Sequence, residues 1–164
     1  MKFIKEIIPY ILIILVVVLI RTYIVTPIKV NGQSMYDTLS GDEVMLLMKY
    51  NQTIERYDIV VSDLIMDGKK EDVLIKRVYG LPGEKIKCEN GLIYINDKKI
   101  EDDFGYGKTE DFEEVVLKEN EYFILGDNRE ISLDSHIFWP VTKENIQGVT
   151  NFVIWPLNKI GKVK

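Results

Sequence analysis

The 164-residue sequence predicts a mainly β domain carried behind one N-terminal membrane-spanning helix. Three observations lead there. An uncharged apolar run lies near the N-terminus, short β-type segments follow between glycine, proline and asparagine turns, and no long helical period occurs after residue 26. Charged residues are 29% and hydrophobic residues 46%, too apolar a balance for a disordered chain. Lysine plus arginine is 21 against 26 for aspartate plus glutamate, and the net charge of −5 argues against a nucleic-acid binder. Cys88 is the only cysteine and His136 the only histidine, which excludes an intrachain disulfide framework and the multi-histidine or cysteine metal sites. No metal or cofactor is expected.

The apolar run Ile7 to Ile20 carries no charge and resumes after Arg21 as Thr22-Tyr23-Ile24-Val25. From Ile7 to Val25 it approaches the roughly 20 residues that cross a bilayer core. Pro9 falls in the first turn, where proline costs least. A removable signal peptide would need small residues behind the run, and Arg-Thr-Tyr-Ile-Val-Thr-Pro offers none. A soluble helix would show a polar face, and Ile11 to Ile20 shows none. Lys2 and Lys5 precede the run while Arg21 and Lys29 follow it, so a cytoplasmic N-terminus is expected. Residues 1–25 are then the N-terminus and anchor, and 26–164 an extracytoplasmic domain.

Within that domain Asp58 to Val61 and Val73 to Tyr79 read as strands. Ile86-Lys87-Cys88 and Leu92 to Ile95 flank Asn90-Gly91, a two-residue hairpin signal. Val115 to Leu117, Tyr122 to Leu125 and Phe152 to Trp155 follow. Residues 85–118 form a cap or hairpin insertion. Glu101 to Glu114 holds seven acids with Gly105 and Gly107, and reads as a mobile excursion that buries little and could be removed.

Gly32-Gln33-Ser34 offers a serine in a turn, but Tyr36 breaks the G-x-S-x-G elbow. A serine nucleophile needs a base. His136 with Asp134 is one possibility, although a plain hydrogen-bonded histidine is the more ordinary reading. Lys76 is another. Strand alternation puts Leu74, Lys76 and Val78 on one face and Ile75 and Arg77 on the other. A lysine between apolar neighbours loses solvation, its pKa falls, and it becomes a usable base. Against that stands an exposed edge-strand lysine, the commoner situation.

Four stretches in order carry a resemblance. Asn31 to Leu39 is similar to a nucleophile box, Arg56 to Val61 to the strand box that follows, Lys76 to Glu84 to a lysine box, and Gly126 to Ser135 to a final box. The chain resembles the bacterial type I signal peptidases of Gram-positive type, which are membrane-bound Ser-Lys proteases. The resemblance implies a signal-peptidase-like (LexA-like) β-domain with a small cap insertion. It implies Ser34 as nucleophile, Lys76 as general base, Ser132 as the hydroxyl that orients the lysine, and Asp134 as a supporting acid. Gly126, Asp127, Asn128 and Arg129 match the structural turn beside the site. The Ser34 N–H would be one oxyanion donor, and Gly32 stands where some relatives place a serine hydroxyl. Met35 would lie close to substrate. Substrates would be signal-peptide-bearing preproteins with small residues first and third before the cut, met at the lipid bilayer.

Three positions depart from the family pattern. Asp37 replaces a proline, Tyr57 replaces the glycine of Arg-Gly-Asp, and His136 replaces an arginine that pairs with the acid at Asp134. Three alternatives stand beside the main reading: a relative with a restricted client such as pilin assembly, a Ser-His-Asp protease, and a non-catalytic anchored binding domain.

The anchor reading has a direct test. After alkaline carbonate extraction the protein should stay in the membrane pellet with its N-terminus intact. A soluble form beginning near Thr26 would refute it.

Overall fold

A computed structural model describes residues 2–50 and 53–163. The apolar run lies in helix α1 (Lys2–Tyr23), and its stretch Glu6–Tyr23 is long and apolar enough to cross a membrane. Its side chains from Ile7 to Ile20 are exposed, with none packed into the β domain. The helix ends at Tyr23 rather than running on through Val25, and because it begins at Lys2, Pro9 lies inside it rather than in its first turn. Ile24 donates its N–H to Ile20 O and accepts from the Lys49 N–H, so the chain passes from helix to sheet within one residue.

Thirteen strands follow in chain order: β1 (Val25–Lys29), β2 (Val44–Met48), β3 (Ile59–Met66), β4 (Lys69–Gly80), β5 (Lys85–Glu89), β6 (Leu92–Ile95), β7 (Lys98–Lys99), β8 (Phe112–Val116), β9 (Glu121–Leu125), β10 (Val141–Thr142), β11 (Ile146–Val149), β12 (Phe152–Trp155) and β13 (Gly161–Lys162). A short helix α2 (Ser135–Phe138) sits between β9 and β10. The main antiparallel sheet runs β10-β9-β4-β3-β11-β2-β12-β13, with β1 paired to β2. A second sheet, β7-β6-β5-β8, is inserted between β4 and β9. The architecture is mainly β, as the turn pattern predicts.

Local chemistry accounts for the hairpins. Asn90 and Gly91 both have positive φ, 55° and 77°, the pair of values that a tight two-residue turn needs. Asp67 and Gly68 turn β3 into β4 in the same way, at 50° and 74°. Strands β1, β2 and β11 are harder to foresee. Pro27 would argue against a central strand, but β1 pairs on one side only. Gly148 in β11 lies so close to β2 that a Cβ would stand 2.1 Å from Met48 O.

Both faces of the central strands are covered. Tyr79, Phe123 and Leu125 pack toward Ile86 and Ile93 of the second sheet, while Val78, Tyr122 and Ile124 pack toward Val60, Val141 and Val149. Consequently Lys76 and Arg77 are both buried, at 2% and 0% exposure, although they point to opposite faces of β4.

The segment 101–114 corrects the expectation of a removable excursion. Phe112 stacks on Phe123 with centroids 5.0 Å apart, and Phe104 covers the Arg77 guanidinium at 3.8 Å. Arg129 binds Asp102 at 2.6 and 3.1 Å, bonds to the buried Thr109 hydroxyl, and reaches the Tyr79 hydroxyl at 2.7 Å. The acids suggested a solvated loop because nothing in the sequence showed that Arg129 would meet Asp102. Tyr57 adds to the joint. It holds the family's glycine position at φ 71°, and its ring packs against Tyr79 and Phe104.

Removing the arginine would strand Asp102 and the Tyr79 hydroxyl in a largely buried setting. Arg129→Ala is expected to cost about 3–5 kcal/mol, the usual range for breaking a buried ion pair. Urea unfolding should show it, and a loss below about 1 kcal/mol would mean that the segment is not held this way.

Candidate active site

The nucleophile candidate sits just beyond β1. A carboxylate shapes this loop. Glu43, 1% exposed, accepts the N–H groups of Ser40, Gly41 and Asp42 at 3.0–3.1 Å and the Lys159 ammonium at 2.6 Å. Gly41 is thereby pressed against Gly32, so closely that a Cβ would lie 2.5 Å from Gly32 O. Gly32 has φ +81° with open space beside it, so its backbone conformation rather than crowding favours glycine there. Met35 is buried among Val30, Leu39 and Met45 and also lines the cleft described below.

From the other side the turn after β9 backs onto Ser34. The Asn128 N–H donates to Ser34 O at 3.0 Å. A Cβ on Gly126 would fall 2.5 Å from Ser34 O and 2.0 Å from the Ser132 hydroxyl, so only glycine fits. Asp127 receives Arg77 through two bonds of 2.9 and 2.6 Å, with both side chains fully buried. The Gly126-Asp127-Asn128-Arg129 turn is thus fixed to β4 by Asp127, to Ser34 by Asn128 and to the 101–114 segment by Arg129.

Ser34 and Lys76 open onto one cleft of about 620 Å³. Ile28, Val30, Val61, Leu74, Ile75 and Leu133 supply apolar walls, and Gly32 and Met35 lie at the same surface. Among the described residues no hydrogen bond or ion pair engages the Lys76 ammonium. Burial brings its pKa down to about 8, against the opposing pull of Asp134, Asp127 and Asp72.

Asp134 accepts from the Gly126 N–H at 2.9 Å and pairs with His136 Nδ1 at 2.5 Å. Histidine thus fills the place where the resemblance led one to expect an arginine partner for Asp134. The hydrogen bond that the His136 ring donates to Asp134 raises the His136 pKa, with further support from the Asp134 and Glu110 charges. His136 is not on the cleft wall with Ser34. Its other ring nitrogen lies 3.8 Å from Glu110, toward the cap. Ser132 is buried against Gly126, but among the described residues its hydroxyl has no hydrogen-bond partner. The lysine-orienting bond implied by the resemblance is not formed here. Asp37 and Tyr36 are joined by a cis peptide bond on the exposed side of the loop.

Sequence reasoning missed Glu43 and its partner Lys159, and did not foresee that Arg77 would pair with Asp127. Gly41-Asp42-Glu43 reads as an ordinary polar turn, and the partners lie 116 and 50 residues away.

The family defined as Signal peptidase, peptidase S26 matches residues 2–155. The chain belongs to this family, and it is a peptidase by that membership. It is 36% identical over 165 residues to Signal peptidase I of Bacillus amyloliquefaciens, covering 90% of this chain and 85% of that protein. Signal peptidase I S of Bacillus subtilis (strain 168) is 37% identical over 164 residues, covering 88% and 84%. The crystal structure of a signal peptidase I from Enterococcus faecalis V583 superimposes with a TM-score of 0.51 at 28% identity, covering 60% of this chain and 97% of that one.

The Glu43 cradle predicts an acid dependence of stability. Burial alone would raise this carboxyl, but the Lys159 ammonium and the loop amides outweigh it and hold the pKa at about 2, below the ordinary 4.5. A depressed carboxyl stabilises the fold fully above its unfolded value and loses that contribution as pH falls toward its folded one. Glu43→Gln should therefore unfold at lower urea than wild type at neutral pH. The gap should narrow between pH 4.5 and about 2. A gap independent of pH would refute the assignment.

Proposed function

We propose that this chain is a type I signal peptidase that cuts signal peptides from exported preproteins with a Ser34–Lys76 pair. The observation that carries the reading is a buried lysine, unpaired among the described residues, opening onto the same cleft as Ser34, in a chain of this family. Neutral Lys76 takes the Ser34 proton, and Ser34 Oγ attacks the carbonyl after a small residue. The Ser34 N–H stabilises the oxyanion, with Gly32 contributing backbone only. Lys76 then protonates the leaving amine, and water hydrolyses the acyl-enzyme. The cleft's apolar walls suit small side chains before the cut.

Ser132 takes up its lysine-orienting role when substrate or water brings the amine within reach of its unpartnered hydroxyl. Asp134 holds the Gly126 turn beneath the site. Residues 1–25 supply the cytoplasmic N-terminus and the helix that anchors the protein in the bilayer, and residues 26–164 lie outside. Because one residue separates α1 from β1, the cleft stays near the membrane surface where preproteins emerge.

Cleavage of a preprotein in detergent tests the pair. Ser34→Ala and Lys76→Ala should be inactive, and equal activity in all three proteins would remove the proposal. Lys76→Arg should also fail, since guanidinium does not deprotonate. In wild type, kcat/KM should rise with pH along a limb near 8, because only the neutral amine accepts the proton and its lowered pKa sets where that form appears. His136→Arg should keep this limb. Its disappearance would assign the limb to histidine instead.

A further inference from the structure

The cleft reaches Ser34, but a polypeptide cut there must continue beyond it. Val30, Met35, Leu74 and Ile75 shape the cleft for the residues before the bond. Two tyrosines lie next to Ser34 outside this cleft. Tyr36, two residues along the loop, is 41% exposed, and Tyr106 from the cap segment is 49% exposed. Their rings meet edge to face, with centroids 5.4 Å apart and planes at 85°.

The pair is held in register with the nucleophile. Tyr106 donates its N–H to Asp127 O at 2.7 Å and accepts the Arg129 N–H at 2.9 Å, bridging alongside Asn128. Asn128 in turn holds Ser34 O. The Tyr36 N–H closes a turn on Gln33 O at 3.1 Å. Each ring is thus one short backbone connection from Ser34, yet about half of each remains uncovered. Aromatic rings so placed offer apolar area and π faces to a passing chain. Glu130, the residue after Arg129, lies against the residue that follows Tyr106. A Cβ on Gly107, the residue after Tyr106, would lie 2.7 Å from Glu130 Cγ, and Glu130 is exposed.

We propose that Tyr36 and Tyr106 form the subsite for the substrate residues that follow the cleaved bond, and that it favours apolar or cationic side chains there over acidic ones. The proposal rests on Ser34 being the nucleophile. A cation meets an exposed aromatic face, with the Glu130 side chain on the neighbouring segment. An aspartate gains no such contact, and a neighbouring negative charge repels it.

Three peptides identical before the cut test this with the full chain in detergent. One ends at the first residue after the cut, one continues with lysines and one continues with aspartates. Wild type should prefer the lysine peptide to the aspartate peptide in kcat/KM. Tyr106→Ala and Tyr36→Ala should each lower the ratio of lysine-extended to short peptide by roughly 5- to 10-fold. Tyr106→Phe should keep the ratio, because the ring is retained. Ratios unchanged in both alanine variants would overturn the subsite. Because the ratio is internal to each protein, partial unfolding does not imitate the effect. Ser34→Ala separates the two proposals: cleavage of the short peptide by that variant refutes the nucleophile, whereas unchanged ratios with an inactive Ser34→Ala refute the subsite alone.

Discussion

The site depends on one buried ion pair. Arg77 and Asp127 share two hydrogen bonds with no solvent exposure on either side chain. Arg77 also reaches Tyr57 O and the Thr38 hydroxyl, so a single guanidinium joins β4, the nucleophile loop and the turn after β9. Each of these segments carries part of the site: Lys76 on β4, Ser34 on the loop, Asn128 on the turn. Loss of either partner would leave an uncompensated charge inside the domain, which typically costs about 3–5 kcal/mol. The planar fork of arginine suits this task, and lysine could not replace it bond for bond.

Two adjacent cations on one strand thereby meet opposite fates. Arg77 is bonded to Asp127, to Tyr57 O and to the Thr38 hydroxyl. Lys76, on the other face, is buried without a hydrogen bond or ion pair among the described residues, and its burial draws its pKa to about 8. The difference comes from what lies across each face of β4. The Arg77 face meets a carboxylate, and the Lys76 face meets the cleft. The acids nearby act on Lys76 only through space and oppose the drop without reversing it.

Around this centre the chain uses carboxylates as braces. Glu43 gathers three loop amides and Lys159, Asp102 ties the cap segment to Arg129, and Asp134 holds Gly126 and His136. His136 gives Asp134 a partner whose positive charge is titratable. That positive charge is fully present below the ordinary histidine range of about 6.5 and is lost as pH rises through the raised value.

The sequence by itself determined the apolar helix, the mainly β character and the Asn90-Gly91 hairpin, because each rests on local composition or on period-two alternation. The order of the four boxes pointed to the family, and so to Ser34 and Lys76 as residues to watch. Only the tertiary structure decided that both faces of β4 are covered, that Arg77 finds Asp127, that Glu43 shapes the serine loop, and that the acidic segment after residue 101 is bolted down by Arg129. These are pairings between residues far apart in the chain, and a charged side chain reads the same in sequence whether its partner is water or a buried counter-ion.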